Sequence, residues 1–274
     1  MNGTFDSVAQ HYGGGDIAER VFAALAAEGI DTASLSWDQL SSFDQFHTRG
    51  LAATKEQAEI AEADTDTHML DVGCGAGGPA RYLAATCGCR VTGIDLTAEY
   101  VDLATTLSVR CGMDDVTAFR QANALDMPFE EAAFDLAWSQ NVSMNIEDKV
   151  AFYREIFRVL RPGGRFVSAD IAGGSGGAPE FPLPWAREPS ISFVGAQDDL
   201  KSALETAGFE IQEWRDTTAD AVAIAQAPSQ VARRGALGVG LIAGSDFGAR
   251  SLNLGNCLAD GRLTSVLFAA RRPA

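Results

Sequence analysis

Glycines interleaved with small residues form the clearest chemical motif of this 274-residue sequence. They lie in LDVGCGAGG, residues 70–78, where a short apolar run predicts a strand and Pro79 begins a predicted helix. A turn without side chains lets the backbone approach a ligand closely. Asp95 ends the next predicted strand, about 20 residues after Gly75, where a carboxylate can accept hydrogen bonds from both ribose hydroxyls. The spacing therefore predicts a nucleoside site.

Two classes of nucleoside ligand fit this motif. A nicotinamide dinucleotide would place its pyrophosphate on the turn, and GCGAGG matches the G-x-G-x-x-G pattern of such sites. Asp71, however, lies just before the glycines, and its carboxylate would repel a pyrophosphate. S-adenosylmethionine carries an ammonium and a sulfonium and no phosphate. The charge of Asp71 therefore favours S-adenosylmethionine.

Alternating strands and helices must position these residues. From residue 69 onward, short apolar runs alternate with helical stretches, which predicts an α/β fold with a doubly wound, parallel sheet and ligands at the carboxyl ends of its strands. Two predicted strands, 209–215 and 262–271, lie close to the C terminus, as in sheets that finish with an antiparallel pair. We predict a helical N-terminal cap over 1–67 and a ligand-binding domain over 68–274. The glycine-rich stretch within 172–193 follows a predicted strand and is interpreted as a substrate loop.

Four motifs together carry a family resemblance. LDVGCGAGG, GIDL, ANALDMPF and RVLRPGGRF, spread over residues 69–170, resemble the class I S-adenosylmethionine-dependent methyltransferases. The resemblance implies a Rossmann-like, seven-stranded, mostly parallel sheet with helices on both faces. It also implies S-adenosylmethionine as cofactor and S-adenosylhomocysteine as product. The same resemblance implies these cofactor-binding residues: Asp71, Gly73, Cys74, Gly75 and Gly77 along the methionine, Asp95 and Leu96 at the ribose, and Asn123 and Ala124 at the adenine. Gln140 follows the fourth predicted strand, where its amide can hold the methionine carboxylate or orient a substrate. Asn123 departs from the family pattern, in which Asp is usual.

The flanking segments narrow the resemblance to one group. DQFHTRGLAAT, SMNIEDK, LPWA and NLGNCLADGR resemble the bacterial sarcosine/dimethylglycine N-methyltransferase-like proteins. The first hypothesis is therefore N-methylation of a small amine, with a small-molecule methyl acceptor as the partner. A natural-product O- or C-methyltransferase is the alternative. A second alternative is a protein on the same fold that binds S-adenosylmethionine without transferring methyl, or a cyclase.

Candidate catalytic and acceptor-binding residues come from the segments expected around the cofactor. His47 is a candidate base, and Asn141 and Asp170 follow or end predicted strands at the ligand edge. An amino-acid acceptor needs a cation for its carboxylate, for which Arg187 and Arg49 are candidates. A methylated ammonium favours aromatic neighbours. The candidate acceptor-binding residues are Trp37, Phe43, Phe46, Asn145, Trp185 and Arg187.

Composition limits the other partners. The formal net charge is −16 and the pI about 4.5, which argues against nucleic acid and against anionic membrane surfaces as partners. The N terminus has no secretory signal pattern and no run is long enough to span a bilayer, so we expect a cytoplasmic protein. With three histidines and five irregularly spaced cysteines, no metal site is expected. Association into a homo-oligomer stays open.

Overall fold

A single seven-stranded sheet organises the chain in the order β3-β2-β1-β4-β5-β7-β6. The computed structural model describes residues 17–227 and 237–274. The strands are β1 (His68–Val72), β2 (Arg90–Asp95), β3 (Thr117–Gln121), β4 (Phe134–Gln140), β5 (Leu160–Gly173), β6 (Glu210–Asp216) and β7 (Leu263–Arg271). Neighbouring strands from β3 to β5 are parallel, whereas β7 is antiparallel to both β5 and β6. The predicted fold class and its antiparallel finish are confirmed.

Burial on both faces explains why the central strands read as continuous apolar runs. Every residue of β1 after His68 is buried, and only Asp135 of β4 is partly exposed. Helices cover both faces of the sheet. The helices in chain order are α1 (Ile17–Ala27), α2 (Trp37–Leu40), α3 (Leu51–Ala61), α4 (Gly78–Cys87), α5 (Ala98–Arg110), α6 (Lys149–Val159), α7 (Gln197–Ala207), α8 (Thr218–Gln226), α9 (Gly240–Ala243) and α10 (Phe247–Ala259).

Local signals set where the site-forming helices begin. Helix α4 begins after Gly77, whose φ of 76° is left-handed, and Pro79 stands in its first turn, where no amide donor is needed. Helix α6 is capped at its N terminus by Asp148, whose Oδ1 accepts a hydrogen bond from the Ala151 amide at 2.8 Å. Each of these helices therefore starts at the ligand edge of the sheet.

The predicted N-terminal cap shares a hydrophobic cluster with the predicted ligand-binding domain. Val21 and Leu25 of α1 and Phe43 pack in one cluster with Ala76 of the glycine turn and Leu107 of α5. The predicted boundary at 67 therefore separates segments that share a core. The first 16 residues of the predicted cap lie outside the described residues.

Two features differ from the sequence-based expectations. The stretch 35–46 contains one helical turn, α2, and continues as an irregular segment over the sheet edge. Helices α8, α9 and α10, between β6 and β7, were not predicted, because their small residues and glycines give a weak apolar pattern. The final strand β7 is paired on both sides, by β5 and β6. No helix in 17–227 or 237–274 has both the length and the apolarity that a bilayer span requires.

Candidate active site

Backbone conformation and close packing both require glycine in the turn after β1. Gly73, Gly75 and Gly77 have φ values of 74°, 50° and 76°, a region that L side chains rarely adopt. A Cβ on Gly75 would lie 2.5 Å from Cζ of Phe46, and one on Gly73 would clash with Val142. The turn is therefore enclosed by the cap on one side and by the segment after β4 on the other.

Asp95 is tied to this turn by its carboxylate. Its Oδ2 accepts a hydrogen bond from the Gly75 amide at 2.9 Å, and its Oδ1 accepts one from the Thr97 amide at 2.9 Å. Each oxygen keeps a lone pair with which it could accept a hydrogen bond from a hydroxyl group. Burial raises the pKa of Asp95, against the lowering effect of these hydrogen bonds. The carboxylate is thus fixed at the carboxyl-end edge of the sheet. It can still accept hydrogen bonds from the two hydroxyls of a ribose.

Asp71 is a buried carboxyl group without a compensating cation. Only 2% of the residue is exposed, and its Oδ2 has no hydrogen-bond partner among the described residues. Desolvation, and secondarily the charge of Asp95, raises the pKa of Asp71 to about 8. A positively charged group beside it would offset this unfavourable burial.

The side of the site predicted for adenine is built from the segment after β3. Asn123 Oδ1 accepts a hydrogen bond from the Leu125 amide at 2.9 Å, so the side chain closes a local turn. The Ala124 amide makes no hydrogen bond to any described residue. Leu96 follows Asp95 directly, and its carbonyl accepts from Gln121 Nε2 at 3.0 Å. Asn123 therefore has one Oδ1 lone pair and its amino group left for a ligand.

Gln140 and Cys74 lie at the predicted methionine side. Gln140 Oε1 accepts from Trp138 Nε1 at 3.3 Å and from Thr54 Oγ1 at 3.4 Å, and its Nε2 is buried with no partner among the described residues. A buried amide donor without a partner could donate a hydrogen bond to the carboxylate of a ligand. The Cys74 thiol is buried beside Gly93, and burial raises its pKa, so the thiol is not ionised.

His47 lies in a polar cluster between the cap and β4. Its Nε2 is 3.1 Å from the Gly50 carbonyl oxygen and 3.0 Å from Thr54 Oγ1. Because a carbonyl oxygen can only accept a hydrogen bond, this geometry assigns the ring proton to Nε2. Nδ1 is then unprotonated and carries a lone pair. Desolvation lowers the pKa of His47 to about 4. The ring is therefore neutral at pH 7 and is a weak base.

Asn141 and Asp170, the other predicted catalytic residues, hold backbone in place. Asn141 has a φ of 55°, and its Oδ1 accepts from the Thr48 amide at 2.7 Å, which joins the cap to the end of β4. Asp170 is 2% exposed, and its two oxygens accept from the amides of Ser143 and Ile171 at 3.0 and 2.9 Å. Asn145 ends the 3₁₀ turn Ser143–Asn145 that Asp170 anchors. Their assignment to catalysis and acceptor binding stays a prediction.

The predicted acceptor-binding aromatics lie in different parts of the fold. Phe46 covers Gly75 and packs edge-to-face on Tyr100, with ring centroids 5.5 Å apart. Trp37 packs edge-to-face on Tyr82, and Phe43 is fully buried in the cap cluster. Trp185 is 3% exposed and donates from Nε1 to Ser192 Oγ at 2.9 Å. Of this set, the structure brings Phe46 to the glycine turn.

The two candidate carboxylate anchors are already paired. Arg187 is exposed and forms an ion pair with Asp246 of the α9–α10 connection. Arg49 forms an ion pair with Glu56 of α3, which also lies 3.5 Å from Arg215. Among the described residues, no cluster of three or more His, Cys, Asp or Glu has a metal-binding arrangement.

Sequence reasoning did not identify two cations near the site, one fully buried and one partly buried. Arg81 of α4 is fully buried and paired with Asp44 of the cap at 2.9 Å. Lys149 donates from Nζ to the carbonyls of Ser143 and Phe193 at 2.7 Å, and also to that of Ile146. An arginine directly after GGPA, and a lysine in SMNIEDK, gave no signal that distinguished them from surface residues.

A cavity lies where the predicted substrate loop meets the start of β7. Its volume is about 320 Å³. Because β5 ends and β7 begins here, the cavity is on the same edge of the sheet as the glycine turn. The one cation on its wall, Arg262, is paired with Asp260 and Glu180. The cavity is lined by Gly173, Gly174, Gly177, Ala178, Pro179, Phe181, Pro189, Ser192, Val194, Arg262 and Leu263.

Comparisons with known proteins find methyltransferases among the relatives of this chain. A family model described as a methyltransferase domain matches residues 70–168. The chain is 33% identical over 135 residues to methyltransferase GfsG of Streptomyces halstedii, covering 49% of each protein. It is 30% identical over 181 residues to O-methyltransferase rstn1 of Aspergillus nomiae, covering 66% of this chain and 80% of that protein. It is also 30% identical over 153 residues to sarcosine/dimethylglycine N-methyltransferase of Halorhodospira halochloris, covering 56% of this chain and 55% of that enzyme. The chain therefore spans about half the length of the first and third relatives.

Solved structures share the whole fold at low identity. Geranyl diphosphate C-methyltransferase from Streptomyces coelicolor A3(2) superposes with a TM-score of 0.68 at 20% identity, over 98% of both chains. The [4+2]-cyclase SpnF superposes with a TM-score of 0.62 at 22% identity, over 95% of both chains. At these identities the likeness shows the fold alone.

The described residues fit an S-adenosyl group. A buried carboxyl without a cation, an orphaned amide donor and a glycine turn under close contact meet at one edge of the sheet. These features match an ammonium, a carboxylate and a nucleoside, respectively. A family model covers the same turn, and one relative is matched over most of its length. The chain belongs to the class I S-adenosylmethionine-dependent methyltransferases.

Proposed function

We propose that this protein transfers a methyl group from S-adenosylmethionine to a small molecule with a substantial apolar part, at oxygen or carbon. The cavity of about 320 Å³ beside the substrate loop carries this proposal. Its walls are mainly glycine, proline and apolar side chains, and the charge of Arg262 is balanced by Asp260 and Glu180. Such a wall favours an apolar ligand.

A small amine is the second candidate acceptor. The similarity to the sarcosine/dimethylglycine N-methyltransferase favours it, at 30% identity over 56% of this chain. An amino-acid acceptor would need a cation for its carboxylate, but Arg187 and Arg49 are each paired with an acidic residue. Trp37 and Trp185, two residues expected in an aromatic cage, pack on Tyr82 and in the core beside α10. These contacts weigh against the amine.

In the proposed reaction the chain binds, orients and excludes water. S-adenosylmethionine, when bound, supplies a methyl group on a positively charged sulfur. Asp71 would hold its ammonium, Asp95 its ribose hydroxyls, and Gln140 its carboxylate through Nε2. The pKa of His47, about 4, makes its Nδ1 a weak proton acceptor. We therefore assign the rate enhancement chiefly to positioning and to exclusion of water by the cap around Phe46.

An acceptor screen tests this proposal. The purified protein is incubated with S-adenosylmethionine, and release of S-adenosylhomocysteine is followed with phenols, terpenoid alcohols, indoles, sarcosine and dimethylglycine. We expect turnover with apolar acceptors. Turnover restricted to the two amines would overturn the proposed acceptor class. Conversion of a substrate without formation of S-adenosylhomocysteine would instead identify a non-transferring enzyme, such as a cyclase.

A matched pair of variants tests the cavity. Val194→Trp fills part of it, whereas Val109→Trp adds the same side chain at a position on α5 that is 53% exposed. For an apolar acceptor we expect Val194→Trp to raise KM about tenfold, which corresponds to loss of contact with about two methylene groups. Val109→Trp should leave KM unchanged. Equal KM values in both variants would place the acceptor elsewhere.

A further inference from the structure

One fully buried arginine joins three parts of the cofactor-binding region. The Arg81 side chain, in α4, donates from Nη2 to Asp44 Oδ2 at 2.9 Å and to the Ala76 carbonyl at 2.7 Å. Its Nη1 donates to the Ala104 carbonyl at 3.2 Å and to Ser108 Oγ at 3.3 Å. Arg81 therefore contacts the cap through Asp44, the glycine turn through Ala76, and helix α5.

The partner of Arg81 begins the cap segment that covers the turn. Asp44 lies against Gly78, where a Cβ would clash with the Asp44 carbonyl oxygen. Two residues later Phe46 lies against Gly75, and its ring is 5.5 Å from that of Tyr100. Both residues of the ion pair are almost fully buried, with side-chain exposures of 0% for Arg81 and 1% for Asp44. The pair therefore fixes the position of Phe46 over the turn.

We propose that the Asp44–Arg81 pair couples the seating of the cap to the retention of the S-adenosyl ligand, with Arg81 as a positioning residue. This inference rests on the proposed function, since it takes the glycine turn as the cofactor site. Charge-assisted hydrogen bonds between buried groups are stronger and more directional than exposed ones. Because one guanidinium holds both the cap and the Ala76 carbonyl, displacement of the cap leaves that guanidinium with an unpaired charge and loosens the turn. Ligand release, which needs the cap displaced, is thereby slowed.

Two variants interrupt this coupling in different ways. Asp44→Asn keeps the shape of the side chain and an acceptor oxygen but removes the charge. The double variant Asp44→Leu/Arg81→Met replaces the pair with apolar groups of similar size, a change that buried ion pairs often tolerate. Asp198→Asn is the matched control, since it removes the charge of an exposed carboxylate that pairs with Lys201.

The experiment measures the dissociation rate of S-adenosylhomocysteine and the amide hydrogen exchange of residues 43–50, with and without that ligand. We expect dissociation to become about tenfold faster in Asp44→Asn, the effect of removing the charge from one buried hydrogen bond, with a similar loss of ligand-induced protection. The double variant also loses the bond to the Ala76 carbonyl, so its dissociation should be at least as fast. The association rate and the control should change less than threefold, roughly the scatter of distant substitutions.

Unchanged dissociation and protection in the folded variants would overturn the coupling. Loss of cap protection with unchanged dissociation would do the same, because the cap would then be independent of the ligand. The proposed function has its own failure, in which S-adenosylhomocysteine binds and the variants behave as expected but no acceptor is methylated.

Discussion

The protonation of Asp71 makes a quantitative prediction about cofactor binding. The pKa of this carboxyl is about 8 without ligand, because it is buried and lies near Asp95. An ammonium beside it would lower that pKa, so binding near neutral pH should release a proton. Affinity for S-adenosylhomocysteine should therefore rise with pH until Asp71 is ionised in the free protein.

The size of this effect comes from the pKa itself. With a pKa of about 8, the ionised fraction is about 1% at pH 6 and about 90% at pH 9. Affinity should then rise about 90-fold between these pH values, or about 2.7 kcal/mol, if the bound carboxyl stays ionised throughout. Asp71→Asn removes the titration, so its affinity should lack this rise.

Titration calorimetry in buffers with different ionisation enthalpies measures both the affinity and the number of protons released. The ligand's own amino group titrates equally in both proteins, so the difference between wild type and Asp71→Asn isolates the carboxyl. The pH dependence of folding stability has the opposite sign to that of ligand affinity. A carboxyl with a raised pKa contributes stability below its unfolded pKa, and that contribution is lost as pH rises toward 8. Equal pH dependence of affinity in the two proteins would refute this reasoning.

Three further predictions concern neighbouring residues. Asp95→Ala should weaken S-adenosylhomocysteine binding by about 1–3 kcal/mol in calorimetry, the cost of unpaired ribose hydroxyls, and an unchanged Kd would contradict the ribose assignment. Gly75→Ala should destabilise the protein by about 1–3 kcal/mol in denaturant unfolding, because the φ of residue 75 is 50° and the new Cβ would clash with Phe46. Adding Phe46→Ala should recover the part of this loss that comes from the clash. No recovery would contradict the contact between residues 46 and 75. His47 should stay neutral from pH 8 to 5 in an NMR titration, since its pKa is about 4, and a midpoint near 6.5 would show that the ring is solvated.

Local patterns carried most of the fold. The run from Met69 to Gly78 encodes a strand, a glycine turn and a helix within ten residues, and the structure forms all three there. Helices α8 and α10 were missed because their positions depend on contacts with β7 and with the loop around Trp185. Helix α9 was missed because its Ile242 packs with α1, and no local pattern encodes any of these contacts. The order of β6 and β7 was likewise not predicted, because β7 pairs with β5 across about 90 residues of chain and no local pattern encodes that pairing.

The candidate site, like the fold, was predicted from the sequence only in part. Gly75 and Asp95 were predicted from their spacing, and the structure joins them by a hydrogen bond. Arg81 was not predicted, because its burial depends on partners distant in sequence, such as Asp44, 37 residues away. Lys149 was not predicted either, because its contact with the Phe193 carbonyl joins segments 44 residues apart. Aromatic residues such as Trp37 were grouped by type alone, and the structure distributes them among different clusters.

The predicted substrate loop begins and ends at almost the same point. The Gly173 amide donates to the Gly195 carbonyl at 2.8 Å, so the intervening residues form a closed excursion from the sheet. The connection from β6 to β7 is closed likewise, by the Thr217 amide on the Ser265 carbonyl at 2.8 Å. The entropy of closing such a loop changes slowly with its length. Both segments can therefore be lengthened, shortened or exchanged between homologous chains while β1 to β4 keep their register. Such changes give evolution and protein engineering a route to new methyl acceptors on an unaltered scaffold.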